Sequence, residues 1–241
     1  MTGKHGLEIR DYEKDPLGSQ IPICELPEVP HGEWRDRIEY HKENKLRPLD
    51  FHKQVTVLNQ ASLRFCWCFA PVAGVMNRLA YQGIDPVPEL SAAAIASQYK
   101  QGRNVGGTVA QGVEACLGGI PSVDYWPNDK LKESGFDKSK SDAKFNSLAT
   151  FTELGGNQLD RVISVLLGDD PRPVAIALPW WRHAVLALAV DYSVTGRSYG
   201  LVYANSYGPS WKDSGYGTLW GKKAIGHENI VIESAAPRSE Q

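Results

Sequence analysis

Three separate segments of the chain carry side chains that together could activate a thiol. Cys66 lies in the run Gln60–Ala70, His183 opens an apolar run, and Asn205 begins a segment rich in glycine and aromatic residues. A thiol attacks an acyl carbon efficiently only as thiolate, which a nearby imidazole and a helix N-terminus both favour. An amide that accepts the imidazole N–H would fix the tautomer of the ring. These residue types predict Cys66 as nucleophile, His183 as base and Asn205 as the orienting group.

A fourth polar side chain, that of Gln60, stands six residues before Cys66. When negative charge develops on a carbonyl oxygen, the side-chain N–H of Gln60 and the backbone N–H of Cys66 could donate to that oxygen. Loss of one such donor typically lowers turnover by about two to three powers of ten. Gln60 is therefore predicted to be the oxyanion donor.

The elements that would position these groups divide the chain into two halves. An apolar run predicts a helix that begins at Cys66, with Pro71 in its first turn, where a missing N–H costs little. Further helices are predicted over 36–45, 90–96 and 108–117, and strands over 55–58, 173–178, 199–204, 216–220 and 230–233, with His183 opening another. The expected fold class is α+β, with the cleft between a helical half and an antiparallel, barrel-like half.

The sequence resembles the papain-like cysteine proteases, the C1-type peptidases, over roughly Gln60–Gly221. The matching motifs are, in chain order, Gln60, Cys66-Trp67, Gly106-Gly107, His183, Asn205-Ser206, Gly208, Trp211 and the turn 213–217. The resemblance implies a papain-like fold and a thiol-dependent peptidase that cleaves peptide or protein substrates through a Cys66–His183–Asn205 triad. It implies no cofactor and no metal.

The resemblance also indicates which residues would line the substrate cleft. Gly106 and Gly107 match the double glycine that lets a substrate backbone approach closely, and Trp67 follows the nucleophile as in the family. Tyr207 takes the place of the tryptophan that shields the His–Asn contact in the family. The other predicted substrate-binding residues are Trp211 and two that replace the usual small residues before the nucleophile, Arg64 and Phe65.

The sequence departs from the family at two places. Only four residues separate the strand over 173–178 from His183, where the family has a much longer connection. Trp180 and Trp181 in this short connection either replace part of the wall on the leaving-group side or fill the core beneath it. The cysteines that usually form a disulfide near the site are replaced by Leu63 and Asn104.

Composition supports one globular domain and excludes several classes of partner. The 241 residues suit a single domain with a sizeable core, and the net charge of −2 argues against a dedicated nucleic-acid or anionic-membrane surface. Four cysteines without a pairing framework favour a reducing compartment. No run resembles a signal peptide or reaches the length of a membrane span, so the expected location is cytoplasmic, or assembly in the cytoplasm. Residues 1–54 are expected to form a polar arm packed on a protease domain over 55–241.

Two other readings remain open at this stage. The first is a structural or interaction protein that keeps the papain-like fold inside a multi-subunit assembly such as a virus particle. Its support is the shortened wall and the presence of Arg64 and Phe65 at the cleft. The second is a cysteine amidase or acyltransferase of another Cys/His fold, which would need neither Gln60 nor the glycine-rich segment after Asn205.

Overall fold

A computed structural model describes residues 6–15, 21–134 and 147–237. Its α-helices are α1 (Trp34–Glu43), α2 (Pro48–His52), α3 (Cys66–Tyr81), α4 (Ala92–Tyr99), α5 (Val109–Cys116) and α6 (Leu159–Leu167). Its strands are β1 (Ser147–Glu153), β2 (Val174–Leu178), β3 (His183–Ser193), β4 (Ser198–Ala204), β5 (Tyr216–Trp220) and β6 (Glu228–Pro237). The expected α+β class is confirmed. The predicted strand over 55–58 is absent, and the next residue, Asn59, forms only an isolated bridge with Tyr207.

The six strands form one sheet in the order β1-β6-β2-β3-β4-β5, and every neighbouring pair is antiparallel. Strands β2 and β3 form a hairpin in which Leu178 pairs with His183. The base candidate therefore stands at the first position of a central strand. Asn205 directly follows the adjacent strand β4, so the two side chains are brought to the same end of the sheet.

The sheet is covered on both faces because β2 and the part 184–190 of β3 are apolar and buried at every position. Side chains alternate between faces along a strand, and Ala175, Ala177 and Leu186 pack on the side of α3. Val174, Leu178 and other alternate residues pack in a second cluster with α1 and α6. The catalytic candidates thus lie at the rim of a core that is fixed from both sides.

Helix α3 runs through the centre of the first core and begins at Cys66, as predicted. The predicted place of Pro71 in the first turn is wrong, since this residue lies five positions after Cys66, inside the helix. Proline cannot donate the N–H that the helix would use there. Dense packing of α3 against the sheet and α5 holds the helix continuous past this point, because Pro71 and its neighbours are buried.

The described parts of 1–54 pack closely on the rest of the chain. Leu7 and Leu49 are buried in the core that contains α3, and Trp34 is buried in the second core. Two isolated parallel bridges join this region to the domain, Leu7 to Gly107 and Ile23 to Glu153. Residues 1–5 and 16–20 of the predicted arm lie outside the described residues, and the boundary at residue 54 stays a prediction.

Candidate active site

Cys66 is the first residue of α3 and has no exposed surface. Burial raises the pKa of its thiol to about 12, while hydrogen bonds from the backbone N–H groups of Ala184, Trp67 and Cys66 itself act in the opposite direction. These amides favour the thiolate because they point partial positive charge at sulfur. The thiol is therefore surrounded by donors but is kept neutral by the absence of solvent.

The base candidate and its orienting amide are in direct contact. His183 Nε2 lies 2.7 Å from Asn205 Oδ1, and both residues are buried. The same oxygen accepts the backbone N–H of Ser206 at 2.8 Å. Since Oδ1 can only accept, Nε2 of His183 carries the proton of this hydrogen bond. The ring is thereby fixed in the tautomer that leaves Nδ1 able to take a proton from a thiol.

Two aromatic rings contact the imidazole of His183. Tyr207 stacks on His183 with ring centroids 5.0 Å apart and planes at 19°. Trp181 meets the same imidazole edge-on at 4.7 Å. Aromatic contacts of this kind restrict rotation of the ring and exclude water from it. Tyr207 therefore keeps the shielding position that the sequence assigned to it.

The thiol and the imidazole belong to one site in the structure. Cys66 accepts a hydrogen bond from Ala184, the residue that follows His183. The pKa of Tyr207 is well above its usual range, first because of burial and next because of the nearby Cys66 thiol. Cys66, at the start of α3, therefore lies next to the start of β3, where His183 stands.

Gln60 is fixed by three hydrogen bonds and is only 2% exposed. Its Nε2 donates to the Leu63 carbonyl at 2.6 Å, its Oε1 accepts the Ser206 hydroxyl at 2.5 Å, and its backbone N–H donates to the Ser206 carbonyl at 2.8 Å. The amide NH₂ has two hydrogens, so one remains for an oxyanion. Ser206, which sequence reasoning matched only as a neighbour of Asn205, joins Gln60 to the sheet.

The loop before the nucleophile is held by an amide. Asn104 Oδ1 accepts the Arg64 backbone N–H at 2.7 Å, and Asn104 Nδ2 donates to the Ser62 carbonyl at 3.4 Å. The Arg64 carbonyl in turn accepts the indole N–H of Trp67 at 3.0 Å. All four cysteines are free and buried. Polar contacts of Asn104 thus connect the two segments that the family was expected to join by a disulfide.

The other residues of this loop divide between cleft and core. Arg64 is partly exposed, whereas Phe65 and Trp67 have no exposed surface and meet edge-on at 6.0 Å. Trp67 also packs beneath Gly107, where an added Cβ would stand 2.7 Å from the indole. Contact of Phe65 with substrate stays a prediction, and in this structure its ring belongs to the core.

The double glycine pairs with the N-terminal segment Gly6–Glu8. Gly107 N–H donates to the Gly6 carbonyl at 3.0 Å, and Glu8 N–H donates to the Gly107 carbonyl at 2.9 Å. A Cβ at Gly106 would stand 2.4 Å from the Gly6 carbonyl oxygen, so only glycine allows this approach. Leu7, between the two paired residues, is 2% exposed. The predicted backbone-binding position is therefore occupied by the chain itself.

A buried ion cluster anchors the continuation of that segment. Arg10 Nη1 lies 2.9 Å from Glu153 Oε1 and 3.7 Å from Glu228 Oε1, and the arginine side chain is inaccessible to solvent. Glu228 accepts the backbone N–H groups of Val109 and Ala110 at the start of α5. Burial raises the pKa of Glu228 to about 7. The segment thus enters the cleft at Gly6 and is fixed at Arg10.

The short connection between β2 and β3 builds an aromatic wall. Trp181 is partly buried and stacks between Trp180, at 5.7 Å, and Trp211, at 6.4 Å. Trp180 is 52% exposed. The two expected roles are therefore divided, because Trp181 packs against the core and Trp180 extends the wall outward. Tyr207 touches Trp211 edge-on at 6.1 Å, so this wall is continuous with the site.

The described residues contain no group of three or more His, Cys, Asp or Glu side chains placed to hold a metal ion. In the same part of the chain, no helix combines the length and the apolar character needed to cross a bilayer.

Comparison with solved structures identifies the fold. The chain is similar to digestive procathepsin L 3 of Tenebrio molitor, at 17% identity and a TM-score of 0.59, covering 96% of this chain and 75% of that one. It is similar to a recombinant stem bromelain precursor, at 16% identity and a TM-score of 0.63, covering 96% and 84%. A third similar structure is the bromelain protease of Ananas comosus in complex with the E64 inhibitor, at 17% identity and a TM-score of 0.60, covering 87% and 100%. The fold is that of the papain-like cysteine proteases.

No model of a protein family and no curated protein sequence matched the chain.

Proposed function

We propose that this chain is a thiol-dependent peptidase in which Cys66 is the nucleophile and His183 the general base. The observation that carries the proposal is that three features lie together in one site. Cys66 stands at the start of a helix, His183 is hydrogen-bonded to Asn205, and the backbone N–H of Ala184 donates to the Cys66 thiol. Each feature has a separate chemical use in acyl transfer. The papain-like fold of similar solved proteases supports the same reading.

The reaction would follow from the positions of the donors and acceptors. His183 takes the Cys66 proton, the thiolate attacks the scissile carbonyl carbon, and the Cys66 N–H and Gln60 Nε2 donate to the oxyanion. The imidazolium then gives its proton to the leaving amine, and a thioester remains on Cys66. His183 next removes a proton from water, which attacks the thioester and releases the acid. Asn205 holds the ring through both proton transfers.

The chain would act on peptides only after Gly6–Glu8 leaves the cleft. This segment uses both backbone groups of Gly107, and the Leu7 N–H donates to the Arg182 carbonyl, next to the buried His183. Two of the similar solved structures are a procathepsin and a bromelain precursor. Their likeness supports a latent form in which residues from the chain's own N-terminal region occupy the substrate position.

Cleavage of a broad peptide mixture by the purified chain tests the proposal. A Gly6→Ala variant, in which the added Cβ would stand 2.1 Å from the Arg64 carbonyl oxygen, should open the cleft and allow turnover. Cys66→Ala in that background should abolish turnover, because no other group can form the thioester. Cys68→Ala is the matched control, since Cys68 is an equally buried cysteine on the same helix and should leave turnover unchanged. Persisting turnover in Cys66→Ala would end the mechanism.

The burial of Cys66 and His183 also favours a second candidate, a papain-fold interaction protein without turnover. In that case Gly6–Glu8 would be a permanent part of the fold. Opening the cleft by Gly6→Ala would then yield neither cleavage nor modification of Cys66 by iodoacetamide, while the chain remained folded. Modification without cleavage would instead indicate an activated thiol with a narrow substrate range.

A further inference from the structure

A second buried histidine stands behind the candidate triad. His52, the last residue of α2, is 1% exposed, and its Nδ1 lies 2.9 Å from the hydroxyl oxygen of Tyr216. That hydroxyl also lies 3.4 Å from the His52 carbonyl, to which it can donate while it accepts a hydrogen from Nδ1. We assign the ring proton to Nδ1 on this pair of contacts. Nε2 of His52 is then a bare acceptor, and burial keeps the ring neutral by lowering its pKa to about 4.

A small cavity lies between this histidine and the triad. His52, Asn205 and Ser206 line it together with apolar side chains of α3 and β3, and it offers about 10 Å³ to the centre of a water molecule. That volume is about what one water needs. Two buried polar atoms of the lining residues, His52 Nε2 and Asn205 Nδ2, have no hydrogen-bond partner among the described residues. One is an acceptor and the other a donor.

We infer that one buried water molecule occupies this cavity, accepts a hydrogen bond from Asn205 Nδ2 and donates one to His52 Nε2. Each of these two protein atoms then has a hydrogen-bond partner. The amide group of an asparagine or glutamine side chain can rotate by about 180°, which exchanges the positions of its oxygen and nitrogen. An acceptor on the cavity side holds the NH₂ group there and keeps Oδ1 towards His183. His52 is therefore a positioning residue for Asn205, acting through the water.

The consequence for catalysis rests on the proposed peptidase function. If the Asn205 amide turned over, its NH₂ would face the protonated Nε2 of His183, and two donors cannot hydrogen-bond. The imidazole would lose the contact that fixes its tautomer. His52 thus stabilises the productive ring orientation from the far side of the amide, although it touches neither His183 nor the reacting thiol in this scheme.

A crystal structure of the full chain tests the water whether or not the protein has turnover. We expect one ordered water with its oxygen about 2.7–3.2 Å from both His52 Nε2 and Asn205 Nδ2. No density at this point, in a structure that shows other buried waters, would overturn the inference. A structure with Nδ2 of Asn205 bonded directly to a protein oxygen would overturn it as well.

Kinetics test the positioning role with two substitutions of His52. His52→Leu removes the acceptor at similar bulk, and His52→Gln keeps an acceptor oxygen. In the opened chain we expect His52→Leu to lower kcat about five- to tenfold, the effect of one net hydrogen bond, with KM unchanged. His52→Gln should recover most of the loss. His41→Leu is the matched control, because His41 is also buried but bonds the backbone of Leu166 instead.

A double variant separates positioning from general destabilisation. His52→Leu combined with Asn205→Ala should lose no more kcat than Asn205→Ala alone, because both changes remove the same orienting contact. Independent, additive losses would overturn the positioning role. If the opened wild-type chain shows neither turnover nor alkylation of Cys66, the peptidase proposal fails, and the crystal structure alone decides the water.

Discussion

The thiol side and the imidazole side of the candidate site are held in different ways. His183 and Asn205 stand at the ends of neighbouring central strands, and their contact is enclosed by Tyr207 and Trp181. Cys66 instead follows a loop that is held by side-chain amides, and Gly6–Glu8, a segment distant in sequence, pairs with Gly107 and lies against the Arg64 backbone. The first side is part of a packed sheet. The thiol side instead depends on separate hydrogen bonds, each of which can be removed by a single substitution.

This difference suggests that the two sides have separate tasks. The imidazole–amide pair already has the arrangement that the proposed mechanism requires, because its hydrogen bond is short and its surroundings are packed. The thiol has donors in place, but burial raises its pKa to about 12. Access of solvent and substrate to Cys66 is therefore the step that changes reactivity. Substitutions on each side should change different measurable quantities.

The largest effect is expected at Gln60, which belongs to the loop side but is bonded to Ser206 beside Asn205. In the opened chain, Gln60→Ala should lower kcat by about two to three powers of ten, because one oxyanion donor is lost. The rate at which iodoacetamide modifies Cys66 should change little, since alkylation forms no oxyanion. Asn205→Ala should lower kcat less and should also slow alkylation. If Gln60→Ala and Asn205→Ala changed kcat equally and also changed the alkylation rate equally, the distinction between the thiol side and the imidazole side would be wrong.

The next effect is the opening of the cleft by a single methyl group. Gly6 has a φ of +90°, and a Cβ there would clash with the Arg64 backbone. Gly6→Ala should speed alkylation of Cys66 at least about tenfold, because the clash destabilises the closed form. Each 1.4 kcal/mol of such destabilisation raises the equilibrium constant for opening by a factor of about ten. Gly83→Ala is the control, because Gly83 has a φ of +80° but open space around it. Mass spectrometry of labelled peptides would measure both rates, and equal rates would contradict a displaceable cover.

A smaller effect is expected from Asn104, which holds the loop before the nucleophile. Asn104→Ala should lower the free energy of unfolding by about 1 kcal/mol, the net value of a typical hydrogen bond. Asn104→Asp retains an oxygen for the Arg64 N–H and should lose less. Urea unfolding of the three proteins measures this difference. Identical unfolding curves for Ala and Asp would show that the Arg64 contact does not hold the loop.

At the anchor of Gly6–Glu8, the expected effect is a change in the pH dependence of stability. Burial raises the pKa of Glu228 from 4.5 to about 7, so the folded chain binds this proton more tightly than the unfolded chain does. Through this group, the free energy of unfolding falls as pH rises from about 4.5 to 7. The glutamine of Glu228→Gln cannot titrate. The thermal stability of this variant relative to that of the wild type should therefore increase as pH rises through that range. A constant difference across the range would contradict the raised pKa.

Much of the scaffold could be predicted because its signals are local. The apolar runs bounded by proline, glycine or polar residues predicted β5 with its observed ends, β2 with its start one residue early, and the start of α3 at Cys66. The helix Leu159–Leu167 and the strand Ser147–Glu153 were not predicted, although the apolar spacing within the former could have indicated it. The assignment of 55–58 as a strand failed because β-branched residues there have no partner strand.

The site was less predictable wherever its contacts join distant segments. The residue types of Cys66, His183 and Asn205 indicate acyl-transfer chemistry, but no local signal pairs Gly6 with Gly107 or places His52 behind Asn205. A lone histidine such as His52 lies in no sequence pattern that would indicate a role for it. Asn104 was noted only as a replaced cysteine, since the use of its amide depends on where the chain folds back on itself.

The amide contacts of Asn104 have a practical consequence for work with the protein. A loop closed by a disulfide opens or strains when a reductant is added, and its stability then depends on redox conditions. Here the loop is closed by hydrogen bonds, and all four thiols are free. Dithiothreitol can therefore be kept in every buffer to protect Cys66 from oxidation without weakening the scaffold that positions it.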